Sequence, residues 1–240
     1  MILLLGEDND SILYFSSRLD SPRRLSLPYG IEATLGRLGS EEAIVASIGN
    51  SMLFTGIRTS LLLERYKPYL VISLGAAVSL KKDFHQGDVL IADRYYCNGV
   101  DFTVEGKTKY GQFPGLPEFL TADASLNNQA EAAAYSVGGV YIERGFLLSG
   151  DAMYQNASDY ESMLSSHFAG QDRMIAYDTT SAGIAYACHL HSVALLTFKT
   201  ISYEPTHPEQ WLTRKRRALE ASPRLGEIII AMLVRNRETI

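Results

Sequence analysis

The chain has 240 residues, 46% hydrophobic and 20% charged, with a formal net charge of −5. These values exclude a disordered or fibrous chain; at this length folding buries roughly 70% of the unfolded surface, enough to need neither disulfide nor metal. With a weakly acidic balance and no apolar stretch near the ~20 residues that span a bilayer, neither nucleic acid nor a membrane is an expected partner. Cys97 and Cys188 lie far apart and outside any CxxC pair, and the opening Met-Ile-Leu-Leu-Leu-Gly has no basic segment ahead of it. A zinc site and a secretory signal are therefore not indicated, and a reducing cytoplasm is expected.

Taken in order, Ile2 to Leu5 reads as a short buried strand, stopped by Gly6 and followed by a loop rich in carboxylates (Glu7, Asp8, Asp10). Ala43 to Ile48 is a second apolar strand, ended by Gly49-Asn50. Ser51 precedes a helix over Met52 to Tyr66, in which Leu53, Ile57, Leu61 and Leu62 recur at helical spacing and which Pro68 stops. Tyr69 to Leu74 is a third strand, followed by Gly75-Ala76-Ala77, and Val89 to Tyr96 a fourth. The Gly- and Pro-rich stretch Asp101 to Pro117 is a loop long enough to be functional. Further on, the pattern gives helix over Leu120 to Tyr135, strand over Val140 to Leu148, helix over Asp159 to Phe168 and strand over Met174 to Tyr177. Helix over Thr180 to His191 and strand over Val193 to Phe198 come next, with a last helix broken near Pro223. The basic run Arg214 to Arg217 reads as a solvated helix face. Helices alternating with continuous apolar strands predict an α/β chain, one domain over residues 1–240, with a largely parallel sheet covered on both faces.

In open α/β sheets ligands bind beyond the carboxyl ends of strands. The segments to watch are therefore Gly6 to Asp10, Gly75 to Val78, Ser149 to Tyr154, Tyr177 to Thr180 and Ser202 to Glu204. No GxGxxG, GxxxxGK[ST] or GxSxG occurs, which removes the dinucleotide fingerprint, the P-loop and the nucleophile elbow. No metal and no cofactor are expected.

The ordered set of segments resembles one family. Gly75-Ala76-Ala77 is followed by Gly87 to Asp93 (GDVLIAD), Asp101-Phe102-Thr103, Tyr110 to Gly115 (YGQFPG), Ser149 to Met153 (SGDAM), Tyr177 to His189 and Thr200-Ile201-Ser202-Tyr203. Their order and separations are similar to those of the nucleoside phosphorylase and nucleosidase superfamily, above all its 5'-methylthioadenosine/S-adenosylhomocysteine nucleosidases. The resemblance implies a three-layer α/β/α sandwich with a mostly parallel mixed central sheet. It also implies a homodimer, a purine nucleoside or adenine as ligand, and hydrolysis of an N-glycosidic bond through an oxocarbenium-like transition state.

Carried over residue by residue, the resemblance puts Ala76, Ala77, Val78, Met153, Tyr154, Asp178, Thr179, Thr180, Ser202 and Tyr203 at the ligand. It also exposes departures. The acid that protonates adenine falls on Tyr203, and the carboxylate that holds a ribose hydroxyl falls on Thr180. The aromatic residue that stacks on the base falls on Met153, with Tyr154 beside it, a glycine falls on Val78, and the basic residue of the last segment is Lys199. The carboxylate that orients water falls on Asp10 or Ser11. A positioned general acid is worth about 10²–10⁴ in rate, and a tyrosine with a pKa near 10 donates poorly to adenine at neutral pH. Glu204, next to Tyr203, is the candidate replacement acid, with Asp10 or Asp8 as the group that orients water. Three functions are in competition: a nucleosidase with impaired methylthioadenosine hydrolysis, a non-catalytic nucleoside-binding regulatory relative, and, ranked last for want of an arginine at Ser47 to Asn50, a nucleoside phosphorylase.

Overall fold

The structure is a computed structural model that describes residues 1–238; within the last helix, side chains are described at 214, 216 and 223–233 only. A sheet of ten strands runs through it. Strand β1 (Ile2–Gly6) is buried along its whole length and lies between β4 (Glu41–Ser47) and β5 (Leu70–Ser79), parallel to both. Its side chains alternate, as the pleat demands. Leu3 and Leu5 pack with Leu62, Leu63, Ile184 and Cys188, whereas Ile2 and Leu4 pack with Phe15, Ala134, Ile228 and Met232. One face is thus covered by α2 (Met52–Tyr66) and α5 (Ser181–His191), the other by α1 (Asn9–Ser16), α3 (Ala124–Val137) and α6 (Arg214–Glu238). The three-layer architecture implied by the resemblance holds.

Beyond β4 the sheet is extended by β3 (Glu32–Leu38) and β2 (Asp20–Leu25), both antiparallel and neither expected from the sequence. Strand β2 carries Pro22 and is exposed over nearly all its length, as edge strands tolerate. On the other side, β5 pairs with β10 (Ala194–Tyr203), β10 with β6 (Val89–Cys97), β6 with β8 (Ile142–Ser149), β8 with β9 (Met174–Asp178), and β9 returns to β5. These five strands close a ring. Two of its five pairings are antiparallel, so the sheet is more mixed than continuous apolar strands predicted. A short strand, β7 (Leu120–Thr121), joins β6 at its outer side.

Three other expectations are corrected. The carboxylate-rich loop after β1 holds helix α1, because Asp8 is its cap and accepts from the backbone N–H of Ser11 at 2.9 Å. The helix expected from Leu120 begins at Ala124 instead, capped by Asp123 through the N–H of Leu126. The final helix runs through Pro223 from Arg214 to Glu238 without a break. Both β5 and β10 outrun their apolar segments because their ends pair with each other: Lys199 stands opposite Gly75, Thr200 opposite Ala76 and Ile201 opposite Ala77. The residues read as a turn after Leu74 are therefore strand.

Helices α2 and α5 approach closely through Gly56 and Gly183. A Cβ on Gly183 would stand 2.1 Å from the carbonyl oxygen of Met52. Thr55 Oγ1 donates to the carbonyl of Thr180 at 3.0 Å and ties the two helices at the level where β9 ends. Helix α4 (Ala157–His167) covers an aromatic cluster in which Tyr160 and Met163 meet Tyr96, Phe146, Tyr177 and Tyr203.

Candidate functional site

The carboxyl ends of β1, β5, β9 and β10 converge on a cavity of about 580 Å³, within the usual range for small-molecule sites. Its floor is ionic. Lys199, fully buried on β10, places Nζ 2.9 Å from Asp178 Oδ2 and 3.1 Å from Glu7 Oε1, and donates to Thr180 Oγ1 at 2.9 Å. Asp178, at the end of β9, also accepts from Ser149 Oγ at 2.5 Å and Ser181 Oγ at 2.6 Å. Bare β5 backbone lets the cluster form: a Cβ on Gly75 would lie 2.6 Å from Glu7 Oε1 and 2.9 Å from Lys199 Nζ.

Two carboxylates share one ammonium here, and they fare differently. Burial opposes the charge of Asp178, but Lys199 and the Ser149 and Ser181 hydroxyls hold its pKa below the ordinary carboxylate value. For Glu7 burial prevails over the Lys199 ammonium, the neighbouring Asp178 charge adds to it, and the pKa is raised. Lys199 is raised as well, since the two carboxylates outweigh its desolvation. The ammonium belongs chiefly to Asp178, and Glu7 is the group of the cluster most open to a further donor.

Of the residues expected at the ligand, Ala76, Ala77, Val78, Met153, Asp178, Thr179 and Ser202 line this cavity, together with Asp8, Asp10 and Ser11. Thr180, Tyr154, Tyr203 and Glu204 do not. The Thr180 hydroxyl lies beneath the floor, between Asp178 and Lys199. Tyr154 packs edge-on against Tyr160. Tyr203 is turned away by a bulge in β10: Ile201 pairs with Ala77 and Tyr203 with Val78, leaving Ser202 as the extra residue. Its ring enters the aromatic cluster, its hydroxyl donates to the carbonyl of Gln155 at 2.5 Å, and burial raises its pKa further.

Nor does Glu204 occupy the acid's place. Its carboxylate accepts from the N–H of Gln86 at 2.9 Å and from Gln210 Nε2 at 3.1 Å, and lies 3.0 Å from His85 Nδ1. Burial opposes its charge, but His85 and these donors hold its pKa below the ordinary value. It is held ionised, the wrong form for a proton donor.

Several lining residues carried no signal as site residues in the sequence. Asn50 and Trp211 are among them, and Arg214, read as part of a solvated helix face, is on the cavity wall with its guanidinium 3.7 Å over the Trp211 ring; Glu7 lies in the Gly6 to Asp10 segment picked out by its strand end, but nothing in the sequence gives it a role there. The side chains of Lys215 and Arg217, from the same basic run, lie outside the described residues. No residue of the loop Asp101 to Pro117 lines the cavity.

The profile of the phosphorylase superfamily matches residues 4–233. The chain belongs to that superfamily. This superfamily member is 29% identical over 167 residues, 70% of each chain, to a 5'-methylthioadenosine/S-adenosylhomocysteine nucleosidase of an Exiguobacterium species. To the nucleosidase of the same name from Bacillus thuringiensis it is 25% identical over 201 residues, 84% of each chain. Among solved structures, the Neisseria meningitidis nucleosidase in complex with methylthio-immucillin-A aligns with a TM-score of 0.87 at 22% identity, covering 96% of this chain and 98% of that one. The futalosine hydrolase of Helicobacter pylori aligns with a TM-score of 0.86 at 20% identity, covering 98% and 97%. These likenesses establish a shared fold.

Proposed function

We propose that the cavity binds an adenine-type purine nucleoside and that this chain hydrolyses methylthioadenosine poorly or not at all. The observation that carries this reading is at the end of β10, where the hydroxyl of Tyr203 is committed to the carbonyl of Gln155 and Glu204 is held ionised away from the cavity. Protonation of a departing base lacks its acid there, a loss of about 10²–10⁴ in rate. Binding does not depend on that group: the lining includes apolar Ala77, Val78, Met153 and Tyr177, which suit a flat base, as well as the polar floor. The same observation favours a non-catalytic nucleoside-binding role over an efficient hydrolase. Phosphorolysis is disfavoured by Asp151, whose carboxylate accepts from Met52 N at 2.7 Å and Ser51 Oγ at 3.2 Å and so fills the helix N-terminus of α2, a natural anion site. Exposed Leu53, Phe54 and Ile57 on one side of α2 support a homodimer, and two buried, unpaired cysteines support a reducing cytoplasm.

Calorimetry with adenine, adenosine and methylthioadenosine, beside adenine release at high protein concentration, tests the reading. Binding is expected, with release at least a hundredfold slower than by the Bacillus thuringiensis nucleosidase. No binding at millimolar ligand would end the purine reading; release at the relative's rate would end the claim of impairment.

A further inference from the structure

The ionic floor is one hydrogen-bond donor short. Glu7 and Asp178 carry two negative charges against the single positive charge of Lys199. Asp178 is saturated by Lys199, Ser149, Thr180 and Ser181. Glu7 receives Lys199 on Oε1 alone, and among the described residues no hydrogen bond reaches its Oε2. Its side chain is 16% exposed and lies on the cavity wall. A carboxylate oxygen that meets the cavity without a protein donor is free to accept a hydrogen bond from a ligand that enters it.

The wall around it shows which part of a ligand that is. Apolar Ala77, Val78, Met153 and Tyr177 suit a base, whereas Glu7 neighbours polar lining residues: Asp8 follows it, its carbonyl accepts from the N–H of Gly49 next to Asn50, and Asn50 Oδ1 accepts from Thr179 Oγ1. The polar, hydroxyl-bearing part of a nucleoside is its sugar. We propose that Glu7 grips the sugar of the bound nucleoside: Oε2 accepts a hydrogen bond from a ribose hydroxyl, while Lys199, anchored by Asp178, holds the carboxylate in position. This rests on the purine-nucleoside reading above and adds to it a preference for ribose over deoxyribose, carried by a residue at the end of β1. It also accounts for the glycine at position 75, since any side chain there would displace Glu7 and Lys199 together.

The test compares adenosine, 2'-deoxyadenosine, 3'-deoxyadenosine and adenine by calorimetry on the wild type and Glu7→Gln. The wild type should bind adenosine roughly ten- to a hundredfold tighter than at least one deoxy analogue, the worth of a hydrogen bond to a charged group. In Glu7→Gln that ratio should fall below about threefold, and adenine, which has no sugar, should lose less than about threefold. A merely structural role would weaken all four ligands alike. A wild type that binds adenosine and both deoxy analogues equally overturns the proposal whether or not the variant folds, and so does a variant that keeps the wild-type ratio. If the wild type binds neither adenine nor adenosine, the purine reading itself fails and this proposal falls with it. Adenine binding without sugar discrimination overturns the role of Glu7 alone.

Discussion

Replacing Lys199 with methionine keeps the shape of the side chain and removes its charge. Lys199 is fully buried and holds Asp178 at 2.9 Å and Glu7 at 3.1 Å, so K199M leaves two carboxylates facing each other with no cation between them. Breaking a buried ion pair costs about 3–5 kcal/mol, and because this ammonium serves two partners the upper end applies, about 4–5 kcal/mol at pH 7.5. In a chain of this length each kcal/mol moves the Tm by about 2–4 °C, which gives a fall of roughly 8–20 °C. The fall is pH-dependent, and its direction is set by the two states. In the wild type Asp178 has a lowered pKa, so its contribution is present above its unfolded pKa and is lost as pH falls through the folded one. In K199M both carboxyls titrate above their unfolded values, so their ionised forms weigh against folding at neutral pH and protonation relieves them as pH falls. Between pH 7.5 and pH 5 the wild type keeps the contribution of Asp178, whose pKa is lowered, and gains only through Glu7, whose pKa is raised, whereas the variant gains through both carboxyls, so thermal unfolding at the two pH values should show the gap narrowing. Adding E7Q and D178N to K199M removes the stranded charges and should restore most of the loss. A K199M Tm within about 2 °C of wild type at pH 7.5, or a gap that does not change with pH, would refute the ionic account of the floor.

Two further outcomes check the surroundings of the cavity. Tyr203→Phe removes only the hydrogen bond to Gln155, so it should lower stability by about 1 kcal/mol and leave adenosine affinity within about twofold by calorimetry; a large affinity loss would place the phenol at the ligand after all. Asp151→Ala uncaps α2 and should cost about 1–2 kcal/mol in denaturant unfolding, with an unchanged midpoint showing that its bonds to Met52 and Ser51 contribute nothing.

The parts of the fold that are legible in the sequence are those with local punctuation. Helix α2 is bounded by Ser51 and Pro68, and it spans Met52–Tyr66 as those signals predict. Strand β1 is a run of aliphatic residues stopped by Gly6. Local structure with misleading chemistry escapes: Asp8 has the composition of a loop and is a helix cap, and β2 with its Pro22 and arginines lacks any apolar stripe because it is an edge. Within the cavity, Ala77, Asp178 and Ser202 are legible because they end strands. Glu7 falls in the strand-end segment Gly6 to Asp10, but which carboxylate of that segment matters is not legible, since it is set by Lys199, 192 residues away in sequence. Tyr203 and Glu204 mislead because a single bulged residue, Ser202, rotates the two side chains after it, and a bulge leaves no mark in composition or spacing.

On the proposed reading, grip and cleavage part company in this chain. A site accelerates a reaction only through contacts that strengthen in the transition state; contacts made equally to substrate give affinity without turnover. The groups facing the cavity floor, Glu7, Asn50 and Thr179, can meet a sugar in its ground state. The group needed only when the glycosidic bond breaks is a proton donor at the base, and the two side chains nearest that place in sequence are occupied elsewhere, Tyr203 by Gln155 and Glu204 by Gln86, His85 and Gln210. Returning a carboxyl to position 203 would not by itself repair this, because the bulge at Ser202 would point it into the ring cluster of Tyr160, Tyr177 and Trp211 rather than at the ligand. Turnover would require the strand to lose its extra residue as well as regain its acid.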